Sequence, residues 1–278
     1  MTLYRAICLT CFLTALLPAK AKALELCGKP AQGEILKGYA PGAEKILFGG
    51  REYMLSPSGN FLLAFSRDES PTQKLTVVNA NGAAKDYPLN IAATQWDIQN
   101  LKGIPQKKIT PSATDQQEID RERRDLKKAL ADKLNKNYWE KGFIIPVKGR
   151  ISGHFGGQRI MNGKKMNPHQ GTDIAAPEGT PVKAASNGLV RMSGGNYFYS
   201  GNTVVIDHGH QLFTIYAHLK KASVKPGDYV RQGQIIGEVG KTGRVTGPHL
   251  HWGASLNGIR FTPESLLHMN NADFCFNL

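Results

Sequence analysis

Three short segments in the carboxy-terminal part of the chain carry side chains that could bind a metal ion. They are His169-Gln170-Gly171-Thr172-Asp173, Tyr216-Ala217-His218 and His249-Leu250-His251. A catalytic zinc site takes three nitrogen, sulfur or carboxylate ligands and keeps a fourth position for water. Such a site activates water for hydrolysis, and spare imidazoles exchange protons readily at neutral pH. The pattern therefore predicts a hydrolytic metal site that contains its own acid–base groups.

The spacing within the first segment suits an extended chain. His169 and Asp173 are four residues apart, and the nearby Pro168 and Gly171 disfavour a helix. Residues at even spacing in an extended segment face the same side. Taken alone, this pair is more simply interpreted as an ordinary surface pair in a loop.

The other two segments are predicted to lie on strands. His249 and His251 flank Leu250, so both rings would face one side and Leu250 the core. We expect His218 at the end of a strand, on the same face as Tyr216. Taken alone, the two flanking histidines could lie on a solvent-facing edge, but the three segments together favour a metal site. The H-E-x-x-H helix of many zinc peptidases is absent from the sequence.

Other polar residues receive no catalytic role. His208 and His210 lie at the predicted tip of a hairpin, and His154 and His268 belong to no motif. Arg159 precedes the first segment and is interpreted either as a surface charge or as a contact for a substrate carboxylate. Asp207 and Glu238 are expected to be structural.

The chain begins with a predicted signal peptide, residues 1–23. Arg5 gives a positively charged n-region, and residues 6–17 form a mostly apolar h-region. Cleavage is expected after Ala23 or Ala21. An uncleaved membrane anchor is the alternative. The apolar run is too short to span a bilayer, so we expect no stable membrane span after cleavage.

Export also bears on the cysteines. Cys8 and Cys11 leave with the signal peptide, so the mature chain retains Cys27 and Cys275. An even pair in an exported protein predicts an intramolecular disulfide between Cys27 and Cys275, with two free buried thiols as the alternative. Closing nearly the whole chain as one loop would stabilise it by about 4–5 kcal/mol.

The chain is strongly basic. Its formal net charge is +13, and removal of three cations with the signal peptide leaves 13 − 3 = +10. Nucleic acid is a poor partner outside the cytoplasm, whereas anionic envelope polymers or lipid surfaces could attract this charge. A simply solvated surface is the ordinary alternative.

The sequence divides into four parts after the signal peptide. Residues 24–110 alternate apolar and polar residues between turns and predict a small N-terminal β domain; for example, Lys74 to Val78 followed by Asn79-Ala80-Asn81-Gly82 predicts a hairpin. Residues 111–142 predict a linker helix, residues 143–268 an antiparallel β-sheet or sandwich, and residues 269–278 a tail. The fold class is therefore mainly β.

The linker segment has a helical composition. From Asp115 to Tyr138 it contains neither Gly nor Pro, and Leu126, Leu130 and Leu134 recur every four residues. We predict one long helix, capped at its start by Thr114 or Asp115.

The histidine segments, together with the connecting sequences V-K-P-G-D-Y-V-R-Q-G-Q-I-I-G-E-V-G-K-T-G and G-P-H-L-H-W, resemble the lysostaphin-type (LytM-like) zinc endopeptidases over about residues 145 to 265. The resemblance implies that His169, Asp173 and His251 bind one zinc ion. It also implies that His218 and His249 form the catalytic pair, which orients water and stabilises the oxyanion. Enzymes of this family cut peptide cross-links of bacterial peptidoglycan, so the resemblance implies the same substrates for this chain.

Two further points qualify the resemblance. Gly253 stands where the family often has an acidic residue, which affects the surroundings of the ligand His251. Thr94 to Gln99 followed by Lys102 to Pro105 is similar to regions that precede this domain in Gram-negative members.

The sequence thus predicts a zinc metalloendopeptidase that acts on peptidoglycan stem peptides during cell-wall remodelling. Direct D,D cross-links are favoured over glycine bridges, and the protein is expected to be a periplasmic monomer, with secretion as the alternative. We also expect the N-terminal domain to cover part of the groove.

Two other functions compete with this prediction. The first is a non-catalytic relative that binds the wall or activates an amidase; such relatives usually lose site residues, whereas this chain keeps all five. The second is a lipoyl-like carrier with its attachment point at Lys241, which leaves the histidines unexplained.

Overall fold

The structure is a computed structural model that describes residues 24–278. The predicted signal peptide and its cleavage site lie outside the described residues. In the part of the chain that is described, no helix has the length and apolar character needed to cross a membrane.

The amino-terminal part is built from short antiparallel strands. The predicted hairpin is confirmed, because β6 and β7 pair across the Asn79–Gly82 turn. One sheet has the order β4-β3-β6-β7, and a second contains β1, β2 and β5. The strands are β1 (Glu25–Cys27), β2 (Ile35–Tyr39), β3 (Ala43–Phe48), β4 (Arg51–Tyr53), β5 (Asn60–Ala64), β6 (Thr72–Asn79), β7 (Ala84–Asn90) and β8 (Ile98–Leu101).

Two α-helices follow, α1 (Gln106–Ile109) and α2 (Ala113–Ala129). The cap of α2 is Ser112, whose hydroxyl accepts the Asp115 N–H while the Asp115 carboxylate accepts the Ser112 N–H. The predicted cap at Thr114 or Asp115 was therefore wrong, although Asp115 belongs to this capping box.

The helix is also shorter than predicted, because it ends at Ala129 rather than Tyr138. Beyond it, the backbone bonds to a neighbouring turn: the Leu134 carbonyl accepts the His210 N–H, and Tyr138 N–H donates to the His208 carbonyl. These tertiary hydrogen bonds replace the helical ones beyond Ala129. Helix propensity does not predict this change, because it depends on the local sequence alone. A short 3₁₀ helix then covers Tyr138–Lys141.

The carboxy-terminal part is dominated by one large sheet with the order β17-β14-β15-β16-β19-β12-β9. Its pairings are antiparallel, as predicted, and two further 3₁₀ helices cover Pro263–Leu267 and Ala272–Phe274. The strands are β9 (Arg150–Gly153), β10 (Gln158–Met161), β11 (Lys164–Lys165), β12 (Thr172–Ala175), β13 (Pro181–Lys183), β14 (Gly188–Tyr197), β15 (Gly201–Asp207), β16 (Leu212–Ala222), β17 (Tyr229–Val230), β18 (Ile235–Val239), β19 (His249–Leu256), β20 (Ile259–Phe261) and β21 (Cys275–Asn277).

Several contacts join the two parts of the chain. The tail strand β21 pairs with β1, where the predicted disulfide links Cys27 to Cys275. Strand β8 pairs in parallel with β10, beside the loop that carries His169. Buried residues from both parts, such as Phe61 and Phe261, belong to one continuous core. The domain boundaries at 110 and 143 stay a prediction.

Candidate metal centre

Three predicted ligands converge at the centre of the large sheet. Strands β12 and β19 pair so that Asp173 lies opposite His251, and His169 precedes β12 in the adjoining loop. The Asp173 Oδ1 atom is 3.0 Å from His169 Nε2 and 2.8 Å from His251 Nδ1, and these two nitrogens are 3.0 Å apart. Three donor atoms therefore point at one small volume.

The donor set fits a tetrahedral divalent cation. Two imidazoles and one carboxylate are typical zinc ligands, and metal–ligand bonds of about 2.0–2.1 Å separate the ligand atoms of a tetrahedron by roughly 3.3 Å. The observed separations are slightly shorter, so an ion needs only a small expansion of the cluster. The geometry shows a site for one divalent metal ion.

Protonation favours metal binding too. Burial lowers the pKa of His169 to about 4 and lowers that of His251, so both rings are neutral at pH 7. Burial alone would raise the pKa of Asp173, but its close contacts with His169 and His251 hold it well below its usual range. Neutral imidazole and ionised carboxylate are the forms that bind metals.

Further contacts orient these ligands. His169 Nδ1 donates to the carbonyl of His154 at 3.0 Å, which leaves Nε2 free for the metal. The Arg159 guanidinium donates to Asp173 Oδ2, opposite the oxygen that faces the histidines, and to Gln99 at 3.3 Å. Arg159 is therefore not a solvated surface charge. It also lines the adjacent cavity, so its contact with a substrate carboxylate stays a prediction.

Gly171 is required by the approach of the two strands. A Cβ atom at this position would lie 2.5 Å from the Trp252 carbonyl oxygen and 2.7 Å from the His251 Nε2 atom. Both distances are too short for a real contact. Any larger residue would displace the His251 ring from the cluster.

The two remaining histidines stand beside the cluster. His249 Nδ1 donates to the Gly247 carbonyl and His218 Nδ1 to the Thr242 carbonyl, each at 2.9 Å. In the neutral rings, each Nε2 atom can therefore accept a proton. The ring centroids are 4.8 Å apart, and His249 Nε2 is 3.7 Å from Asp173 Oδ1.

The backbone at His218 is unusual and was not predicted. Strand β16 continues past it to Ala222, and His218 has a φ of +63° at a local irregularity. The preceding Ala217 pairs with His251, whereas Tyr216 points into the core, where its hydroxyl accepts the Ala185 N–H. The expectation that His218 ends the strand and shares the face of Tyr216 was wrong. The left-handed backbone conformation at His218 turns its side chain towards the site.

A cavity of about 490 Å³ opens beside these residues. Its lining includes His169, His218 and His251, and helix α2 contributes Glu122 and Arg123. Five of the lining side chains are cationic, and they are Arg123, Arg159, Lys164, Lys165 and Arg244. Glu122 is the one acidic side chain among the described residues of this lining, so positive charge predominates and the cavity favours an anionic ligand.

Glu122 connects α2 to a wall of this cavity. It is 8% exposed, and its carboxylate accepts the N–H groups of Tyr199 and Ser200 at 2.9 and 3.0 Å. Sequence reasoning missed this contact, because a glutamate in a charged helix normally faces solvent. That the N-terminal domain lowers access to the groove stays a prediction.

The other histidines of this part lie away from the cluster. His208 is fully buried, with its ring nitrogens 2.6 Å from the Asn187 carbonyl oxygen and 2.7 Å from the Thr214 hydroxyl. His210 packs against Trp139. Asp207 pairs with Arg191 at 2.8 Å and accepts the Gly209 N–H, which is a structural arrangement.

Comparisons with known proteins agree with this geometry. Residues 167–263 match Peptidase family M23. The peptidoglycan DD-endopeptidase ShyA of Vibrio cholerae serotype O1 is 49% identical over 117 residues, which cover 42% of this chain and 27% of that protein. The DD-carboxypeptidase/endopeptidase Mpg of Neisseria meningitidis serogroup B is 44% identical over 127 residues, or 45% of this chain and 29% of that protein. The matched segment thus spans less than a third of either relative.

A solved structure extends the similarity to most of the chain. The crystal structure of a putative peptidase M23 from Pseudomonas aeruginosa is 28% identical, covers 87% of this chain and 97% of that chain, and superposes with a TM-score of 0.68. The sequence match, the shared fold and the histidine–aspartate cluster lead to one conclusion: the chain carries a peptidase M23 (LytM-like) domain.

Proposed function

We propose that this protein is a zinc-dependent endopeptidase that hydrolyses peptide cross-links of peptidoglycan. The observation that carries the proposal is the convergence of His169, Asp173 and His251 on one volume, with His218 and His249 beside it. Structural support alone would not require five such side chains around a cavity. The names of the relatives, which include peptidoglycan DD-endopeptidases, agree with this substrate.

The five side chains divide into two roles. His169, Asp173 and His251 would hold the zinc ion, whose Lewis acidity would polarise the scissile carbonyl and make water acidic. The Nε2 atoms of His218 and His249 would accept a proton from the attacking water and donate one to the leaving amine. Burial holds the pKa of His218 well below its usual range, so this ring starts the reaction neutral.

We further propose that the bond cut is a direct D,D cross-link. Stem peptides joined in this way carry free carboxylates, whereas glycine bridges carry none along their length. The cationic lining of the cavity suits the former. The disulfide fits an oxidising compartment, so we propose that the protein acts in the periplasm. The proposed oligomeric state is a monomer.

The test is digestion of purified peptidoglycan by the mature protein, with and without a chelator, followed by mass analysis of the fragments. His218→Ala should keep its metal content and lose cleavage, whereas His251→Ala should lose both. His268→Ala, at an exposed position, is the matched control and should retain both. Intact wall with zinc-loaded protein would reject the enzyme and favour a wall-binding or amidase-activating role.

A further inference from the structure

Arg244 is a half-buried cation that forms no ion pair among the described residues, although Glu122 in the same cavity lies near enough to favour its charge. It lies in the loop between β18 and β19, and its guanidinium stacks on the Tyr199 ring at 4.3 Å. Among the described residues, the guanidinium makes one hydrogen bond, a long one of 3.4 Å to the Lys108 carbonyl. By contrast, the partly buried Arg159 and Arg191 each pair with a buried aspartate.

The setting of Arg244 is the candidate active site itself. It lines the same cavity as His218, His251 and Ser200. Burial lowers its pKa, but a guanidinium still keeps its charge at neutral pH. A desolvated cation without an ion-pair partner is costly, so a ligand that supplies the opposite charge would bind favourably here.

The loop holds Arg244 in a defined orientation. Its backbone N–H donates to the Tyr199 carbonyl at 2.9 Å, while the Tyr199 N–H is held by Glu122. The ring of Tyr199 supports one face of the guanidinium, and the Lys108 carbonyl fixes one N–H. The remaining N–H groups can form the two parallel bonds that a carboxylate accepts.

We propose that Arg244 binds a free carboxylate of the wall peptide, next to His218, and thereby selects peptides that carry one near the scissile bond. This inference rests on the proposed function, since it names the substrate feature that the same site recognises. Pre-orientation of the guanidinium lowers the entropy lost on binding, so the residue contributes to affinity as well as to selectivity. Peptides made only of glycine offer no such group.

The experiment compares two cross-linked peptides that differ in one respect: the carboxylate nearest the scissile bond is either free or amidated. Wild-type protein should cleave the free form with the higher kcat/KM. Arg244→Gln should lower kcat/KM for the free form about 10- to 100-fold, chiefly through KM, as expected for a lost bond between charged groups. The amidated form should change less than about threefold. Arg231→Gln, at an exposed position, is the control and should change neither.

Binding separates this inference from the proposed function. The same two peptides are titrated into His249→Ala protein with and without Arg244→Gln, where no cleavage is needed. The free form should bind about 10- to 100-fold more weakly when Arg244 is replaced. Equal losses for both peptides, or no preference in the wild type, would overturn the role of Arg244. Absence of cleavage with preserved discrimination in binding would overturn only the enzymatic function.

Discussion

Replacing Glu122 by Gln tests whether helix α2 builds the active site or covers it. The Glu122 carboxylate accepts the N–H groups of Tyr199 and Ser200, and the Ser200 carbonyl in turn accepts the His218 N–H at 2.8 Å. A continuous series of hydrogen bonds therefore runs from the helix to a proposed catalytic residue. The left-handed backbone of His218 needs such support, because this conformation is strained for a non-glycine residue.

The structure sets the size of the effect. Glu122→Gln retains one carbonyl oxygen but places an NH₂ group against the other backbone donor, so one of two charge-assisted bonds is lost. Such a bond stabilises the folded state by about 1.5–3 kcal/mol, and the buried position leaves little room for a replacing water. We expect a loss of about 2 kcal/mol in the free energy of unfolding. A small displacement of His218 should lower kcat about 10- to 100-fold.

Urea unfolding and steady-state cleavage of a cross-linked wall peptide measure the two effects. Zinc content should not change, since Glu122 touches none of the three proposed ligands. Glu118→Gln is the control, because Glu118 is exposed on the same helix and, within residues 24–278, its ion pair is with Arg121 at 2.7 Å. A faster Glu122→Gln enzyme would refute the reasoning and support an inhibitory cover. An unchanged rate would show that the contact does not position His218.

Three further predictions concern stability. Burial lowers the pKa of His208 to about 4, so the folded ring stays neutral while the unfolded one binds a proton below about pH 6.5. The contribution of His208 to stability should therefore be complete above that pH and fall by about 3 kcal/mol by pH 4, and His208→Gln should remove that share of the pH dependence measured by urea unfolding. Reduction of the Cys27–Cys275 disulfide should lower the free energy of unfolding by about 5 kcal/mol, measured with and without reductant. Gly253→Glu should raise the free energy of unfolding by about 1 kcal/mol, because the Cβ atom of the new side chain would lie 3.6 Å from the Arg260 guanidinium. Burial lowers the pKa of Arg260 to about 10, so a nearby carboxylate should stabilise its charge. A lower melting temperature would contradict this prediction.

The strand-borne part of the site could be predicted because its geometry follows from alternation. His249 and His251 lie on one face of β19, and Leu250 is fully buried on the other, as the spacing required. The spacing of the histidines along the sequence does not predict that β12 pairs with β19. That the two segments meet at one site followed from the resemblance to a known family, and the pairing of Asp173 with His251 agrees with it.

The errors share one physical cause, which is backbone structure decided by distant residues. No property of histidine marks position 218 as left-handed, so alternation assigned its side chain the wrong face. Helix propensity continued past Ala129, but hydrogen bonds to the turn at His208 and His210 took over the backbone beyond it. Glu122 meets its partners 77 and 78 residues further along, and nothing in the composition of α2 indicates that contact.

The segment from β8 to α2 contacts the candidate site at three positions. Gln99 accepts from Arg159 beside Asp173, Lys108 meets Arg244, and Glu122 holds the loop before His218. Each contact reaches a different element of the groove.

A cover over this groove would have to break these contacts on every opening, including two buried hydrogen bonds to a carboxylate at about 1.5–3 kcal/mol each. Strand β8 would also have to leave β10, which removes a parallel ladder of four paired residues. The contacts of Ala129 and Leu126 with the sheet residues Val205 and Phe213 would be lost as well. We therefore expect the helix to stay in place during turnover. It would act as a fixed wall of the substrate groove, and control of access would have to come from other elements.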